Sequence, residues 1–284
     1  HIQQYLGEYD EAIKLFTRSY EIMKKLNGEN NHETALRHLC IGNVYMLQGK
    51  YSEALTFFKQ GQEVILKTVG PEHLNNATAL VNIGMIACVN GNFTEALDLQ
   101  NQALEIKKKL IGEDTEDVAK IYQNIGFINE HQEKLQESLK NYQKALEIYS
   151  KVEEQTKADL DAQKASVHKA LGTVYYRLGK AQDALQSYQE YITFIEKGTH
   201  KIPPEAAREY NNLAGLCKQF GDLQSALGYY EKAALILENS VHNLYPLLAH
   251  IYENTARVHF AQKKISECLN FLEKAKSVAE QIHG

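Results

Sequence analysis

Apolar residues recur three and four positions apart along much of the chain. Ala54, Leu55, Phe58 and Ile65 show the spacing, as do Ala145, Leu146 and Tyr149, and Ala226, Leu227, Tyr230 and Ala234. That spacing gathers them on one face of a helix and leaves the other face polar. The helical pattern is itself repeated. One phrase, a turn followed by the start of a helix, occurs at 7–13, 49–55, 91–97, 133–139, 179–185, 221–227 and 263–269. Its small residue falls at Ala12, Ala54, Ala96, Ser138, Ala184, Ala226 and Cys268, in steps of 42, 42, 42, 46, 42 and 42. A fixed period of this size predicts a solenoid in which one helical pair is stacked again and again.

Upstream of each phrase runs another helical segment with its own small residue, at Gly42, Gly84, Gly126, Gly172, Ala214 and Ala256, each 12 residues before its partner. Glycine inside a helix costs about 1 kcal/mol relative to alanine. Its use here predicts that the two helices of a pair press together at that point. Glycine in the turns Gly49-Lys50 and Gly221-Asp222 predicts a left-handed stop to the first helix. The linkers Val69-Gly70-Pro71-Glu72-His73 and Ile111-Gly112-Glu113-Asp114 combine a glycine stop with acidic start signals. The step of 46 adds four residues, about one helical turn, and predicts a longer helix or loop around Tyr149–Gln163. It is either a neutral insertion or a boundary between two subarrays.

Length and composition fit this picture. A chain of 284 residues exceeds one ordinary core, but a repeat array grows lengthwise. Four prolines and no tryptophan suit an all-α protein. A net charge of −5 argues against a nucleic-acid binder. No apolar stretch is long enough to predict membrane insertion. Cysteines 40, 88, 217 and 268 lie far apart and read as buried thiols in a reducing compartment, which points to a cytoplasmic protein. With no initiator Met, and with His1–Leu6 reading as the end of a helix, the chain reads as a fragment.

The pattern resembles the tetratricopeptide-repeat family. Ile41-Gly42-x-x-Tyr45 with Ala54-x-x-x-Phe58, and Leu171-Gly172-x-x-Tyr175 with Ala184-x-x-x-Tyr188, match its signature. The family's usual unit is near 34 residues. The longer unit here is similar to the kinesin light chain and nephrocystin-3 subgroup, through Val69-Gly-Pro-Glu-His…Val81-Asn-Ile-Gly84, Ile111-Gly-Glu-Asp…Gln123-Asn-Ile-Gly126 and Tyr210-Asn-Asn-Leu-Ala214. The resemblance implies an α-solenoid, a right-handed superhelix of antiparallel helix pairs. Its expected form is a single array: a partial repeat at 1–28, then full repeats at about 31–69, 73–111, 114–152, 157–198, 203–240 and 244–283.

In such stacks the first helices line a concave face. Two residues before each small anchor the column reads Cys40, Asn82, Asn124, Ala170, Asn212 and Asn254. The resemblance implies that these asparagines grip the backbone of an extended peptide; the alternative is that they brace neighbouring helices. Early pairs add Leu39, Val81, Met46, Met85, Cys88 and Phe127 as an apolar stretch, or as core. Later pairs add Lys169, Tyr176, Arg177, Arg208, Lys218, His250 and Arg257 beside one evident acid, Glu253, with Asn211 next in the column. This predicts a groove that takes an acidic or mixed acidic-hydrophobic segment. A clamp for a chaperone's terminal carboxylate is not expected: Asn43, Asn82 and Lys120 fit it, but Leu39 and Asn124 stand where cations are needed.

No catalytic, metal or cofactor motif is present. The acidic pairs Glu153-Glu154 and Glu113-Asp114 read as solvated linkers, and most of the 17 tyrosines as core with a polar tip. The expectation is a non-enzymatic scaffold or adaptor with no cofactor and a protein or peptide partner. The resemblance implies motor-cargo, cytoskeletal or ciliary adaptation, or polarity and G-protein regulation. The alternatives are a structural subunit of a large assembly, such as an axoneme, and a peptide-responsive regulator with an output domain elsewhere.

Overall fold

The computed structural model describes residues 2–156, 159–197, 202–240 and 245–283, and among them are thirteen α-helices and no strand. The first, α1 (Ile2–Asn27), runs unbroken through the phrase at 7–13, so the turn expected there, with an earlier helix ending at Leu6, does not form; six pairs follow. These are α2 (His32–Leu47) with α3 (Tyr51–Thr68), α4 (Leu74–Val89) with α5 (Phe93–Ile111), and α6 (Glu116–His131) with α7 (Leu135–Thr156). Then come α8 (Asp161–Arg177) with α9 (Ala181–Lys197), α10 (Ala206–Gln219) with α11 (Leu223–Glu238), and α12 (Tyr245–Ala261) with α13 (Ile265–His283). Packing is closest within each pair, and each second helix then meets the next first helix, α3 with α4, α5 with α6, α9 with α10 and α11 with α12. This is the stack of helix pairs that the period predicts. Of the predicted repeat edges, residues 1, 157, 198 and 244 lie outside the described residues.

The chain divides into two compact units, His1–Ala158 and Asp159–Gly284. The division falls within the four-residue lengthening, beyond a second helix of 22 residues, α7. Each unit has its own stacked core. In the first, Phe58, Ile65 and Ile86 are fully covered; in the second, Tyr188, Tyr210, Leu213 and Tyr230 are.

The small anchors do what their positions predict. A Cβ added at Gly42 would lie 2.7 Å from the Phe58 ring, one at Gly126 2.8 Å from Tyr142, and one at Gly172 2.7 Å from Tyr188. Real Cβ atoms do not approach that closely, so glycine is what lets each aromatic ring lie flat under its partner helix. The turns are equally regular. Gly49 takes φ +74°, its N–H donates to the Met46 carbonyl at 3.0 Å, and the Lys50 N–H donates to the Tyr45 carbonyl at 2.9 Å. These bonds close the last turn of α2. Where the phrase lacks glycine, Glu133 and Lys263 adopt the same left-handed backbone, at φ 61° and 60°. The turn geometry therefore belongs to the six helix pairs and is imposed even on residues that disfavour it.

Helix starts follow local chemistry. Thr115 accepts from the Val118 N–H, Asn31 from Glu33 and Asp222 from Ser225, as N-cap side chains do. Ahead of α4 the cap is the Nδ1 of His73, 3.1 Å from the Asn75 N–H. The buried tyrosines do carry a polar tip. Tyr142 donates to Glu130 at 3.1 Å and Tyr210 to Glu196 at 2.7 Å, and burial pushes both hydroxyls well above their ordinary pKa.

Candidate peptide-binding faces on the first helices

Position within the repeat decides where each polar side chain points, so the first helices of each unit form a face of their own. In unit 1 these are α2, α4 and α6. Asn82 donates its amide to Asn43 Oδ1 at 3.0 Å, bridging α4 to α2. Asn124 is only 8% exposed and donates to Gln100 Oε1 at 3.3 Å. Gln100 in turn is fully buried and donates to the Val81 carbonyl at 2.9 Å. Lys120 is exposed. Phe127 is 38% exposed and lies against His131, with ring centroids 4.1 Å apart. Leu39 and Cys88 belong to the core, while Met46, Val81 and Met85 are half-buried. The apolar stretch expected on the early pairs therefore comes down to Phe127 as its exposed member.

In unit 2 the first helices are α8, α10 and α12. Asn254 donates to Asn211 Oδ1 at 3.1 Å, and Asn212 donates to the Tyr188 hydroxyl at 3.3 Å. Tyr188 is also 3.3 Å from the Thr173 hydroxyl. All four column asparagines thus donate backward to the pair before them, Asn82 and Asn254 to a first-helix asparagine, Asn124 and Asn212 to a second-helix side chain. Such bonds fix each amide's orientation while leaving its carbonyl oxygen outside the brace.

The charges of unit 2 are distributed unevenly. Lys169 Nζ sits 3.1 Å from Glu209 Oε1 and 5.9 Å from the centre of the Tyr191 ring. His250 is 3.9 Å from Glu253, both being exposed. Arg208 and Arg257 are exposed and Lys218 is half-buried, and among the described residues none of the three has a carboxylate partner. Tyr176 is 56% exposed. Sequence reasoning gave this face one acid, Glu253; the structure adds Glu209, which is 4% exposed and neutralises Lys169. It also missed Gln100, which occupies the place filled by Phe58, Tyr142, Tyr188 and Tyr230 in other pairs. Lining up the repeats column by column reveals both departures.

Among the described residues no group of three His, Cys, Asp or Glu is placed to hold a metal, and no helix is long and apolar enough to cross a membrane. The four cysteines are free thiols; Cys40 is half-buried and the other three are buried. Burial pushes the Cys88 and Cys217 thiols up, away from reactivity.

Solved structures with the same fold include BtubC (BKLC) from P. vanneervenii, at 17% identity and a TM-score of 0.66, covering 83% of this chain and 94% of that one. A kinesin light chain with nearly identical TPR-like repeats from Podosopora anserina aligns at 16% identity and a TM-score of 0.59, over 74% of this chain and 98% of that one. Aspartyl phosphate phosphatase F from Bacillus subtilis aligns at 12% identity and a TM-score of 0.61, over 97% and 68%. At these identities the likeness is one of fold. No curated protein matches the chain in sequence. The tetratricopeptide repeat family model matches at residues 1–60, 34–109, 75–151 and 117–197. With that match over most of its length and a 42-residue helix-pair unit, the chain belongs to the tetratricopeptide repeat family.

Proposed function

We propose that this protein is a non-catalytic scaffold whose unit 2 first-helix face holds an extended acidic peptide. Protein–protein interaction is the role its fold and family imply. The observation that carries the finer reading is the set of cations on α10 and α12, Arg208, Lys218 and Arg257, without a carboxylate partner among the described residues. Two other lysines of this unit are matched by carboxylates, Lys169 by Glu209 and Lys232 by Glu196. Unmatched cations beside braced amides suit a ligand that supplies carboxylates and an extended backbone. In unit 1, Asn43, Asn82, Lys120 and Phe127 offer a weaker version of the same surface, with one exposed cation and one exposed ring. A cytoplasmic adaptor, for motor cargo or for cytoskeletal or ciliary assembly, is the setting this reading fits.

A second reading is favoured by α13, which leaves Ile265, Leu269 and Leu272 45–56% exposed along one face. A structural subunit held permanently in a larger assembly would cover such a stripe.

The test is binding of a fluorescent peptide of alternating Asp and Ala to the full chain, with an Asn-for-Asp peptide as control. The Arg208→Glu/Arg257→Glu variant is expected to lose more than about tenfold in affinity, since two favourable contacts become repulsive. Lys120→Glu is expected to lose about threefold or less. Equal affinity of wild type and the double variant overturns the reading.

A further inference from the structure

We infer that Glu209 sets how strongly the unit 2 face takes an acidic ligand, by holding Lys169 in a closed pair; the inference rests on the reading above. Five residues before each small anchor the repeats carry Arg37, Ala79, Ile121, Val167, Glu209 and Ile251. Ala79, Val167 and Ile251 are fully buried there and Ile121 is 1% exposed, so the fold asks for an apolar residue at this place. Glu209 takes up the same position, 4% exposed. A carboxylate there is unfavourable unless a cation and hydrogen bonds compensate it. The compensation is half complete: Oε1 meets Lys169 at 3.1 Å, whereas Oε2 is buried with no hydrogen-bond partner in the protein. Stability alone does not account for such a residue, because an apolar side chain would fill the place without these demands.

Its effect on the face is direct. Lys169 is 39% exposed and would otherwise join Arg208, Lys218 and Arg257 as a cation open to a ligand. A ligand carboxylate attracted to Lys169 is also repelled by the like charge of Glu209 a few ångströms behind it, and the two contributions largely cancel. The charge of Glu209 is felt by its neighbours: with burial as the larger cause, it helps push the Tyr191 hydroxyl up to about 12. Glu209 therefore takes Lys169 out of the set of cations open to the ligand, which leaves Arg208, Lys218 and Arg257 on α10 and α12.

The test measures binding of the same Asp-Ala peptide to the wild-type chain and to Glu209→Val, Glu209→Gln, Lys169→Met/Glu209→Val and Arg208→Glu/Arg257→Glu, each over a salt series, with helical content and unfolding temperature recorded. Glu209→Val and Glu209→Gln are expected to bind about two- to fivefold tighter, the range of one added exposed ion pair, and to weaken more steeply as salt rises. The Lys169→Met/Glu209→Val variant is expected to return to wild-type affinity and salt slope, a reversal that a packing effect would not produce. Unchanged affinity in folded Glu209→Val and Glu209→Gln, with binding still lost in Arg208→Glu/Arg257→Glu, overturns the role of Glu209 and leaves the reading of the face intact. Absence of peptide binding in every variant, wild type included, overturns both.

Discussion

Two equivalent places in the stack, one in each unit, solve the same problem with different chemistry. Under Gly84 the second helix supplies Gln100, and under Gly172 it supplies Tyr188. Both are buried, and both accept a hydrogen bond from the asparagine two residues before the next anchor, Asn124 in one case and Asn212 in the other. Gln100 reaches its partners through a flexible amide, whereas Tyr188 fills the space with a rigid ring and bonds through its hydroxyl. The repeat thus fixes a contact and its direction and leaves the residue type open, within limits set by the room available. The surfaces diverge as well: among the described residues the first helices of unit 1 carry Lys120 and a half-buried Arg37 that donates to Ser19, and those of unit 2 carry Arg208, Lys218 and Arg257, none of them with a carboxylate partner.

The largest way to break the parallel is to add a methyl group under each partner. Gly172→Ala would place Cβ 2.7 Å from the Tyr188 ring and is expected to cost about 1–3 kcal/mol through overpacking, beyond what alanine's better helix propensity returns. Gly84→Ala places Cβ 3.0 Å from the end of Gln100 and 3.2 Å from Leu99, where the amide can shift, and about 1 kcal/mol or less is expected. Chemical denaturation of the two variants measures the difference, and equal losses would mean that ring and amide give way alike.

A smaller effect separates the two acceptors. Gln100→Leu strands the nearly buried Asn124 donor and removes a second hydrogen bond from the Val81 carbonyl, which stays in the α4 ladder, and about 1–3 kcal/mol of stability is expected to go. Tyr188→Phe leaves Asn212 half-buried and within reach of water, so about 0.5–1.5 kcal/mol is expected. The reverse order would show that the hydroxyl, and not the amide, is the stronger brace.

The smallest effect is a gain, expected equally in both units. Glu133→Gly and Lys263→Gly relieve a left-handed backbone at turns whose counterparts carry glycine, and each is expected to stabilise by about 0.5–1 kcal/mol. Thermal unfolding reads this, and a loss in either variant would show that the side chain contributes more than the strain it bears.

Much of the fold was legible because its cause is periodic. The anchors Gly42, Gly126 and Gly172 and the turns at Gly49 and Gly221 follow from spacing and from glycine's conformational range alone. The candidate faces were legible in outline only. The asparagine column is visible in sequence, but an amide's donor direction depends on what lies within about 3 Å of it, and that neighbour comes from another pair. Gln100 and Glu209 escaped because their residue types suggest surface; only alignment with Tyr142 and Tyr188, or with Val167 and Ile251, reveals that they stand in buried columns. Helix-paired lysines such as Lys67 with Glu63 follow from i,i+4 spacing, whereas Lys169 with Glu209 spans 40 positions and follows from the stacking.

The central claim concerns where an acidic chain lands. A photo-crosslinkable version of the Asp-Ala peptide, bound to the whole 284-residue chain and mapped by mass spectrometry, tests it most directly. The adducts should fall on the first helices of unit 2, around Arg208, Asn212, Lys218 and Arg257, and should fade as salt is raised. Adducts confined to second helices, or crosslinking indifferent to salt, would contradict it.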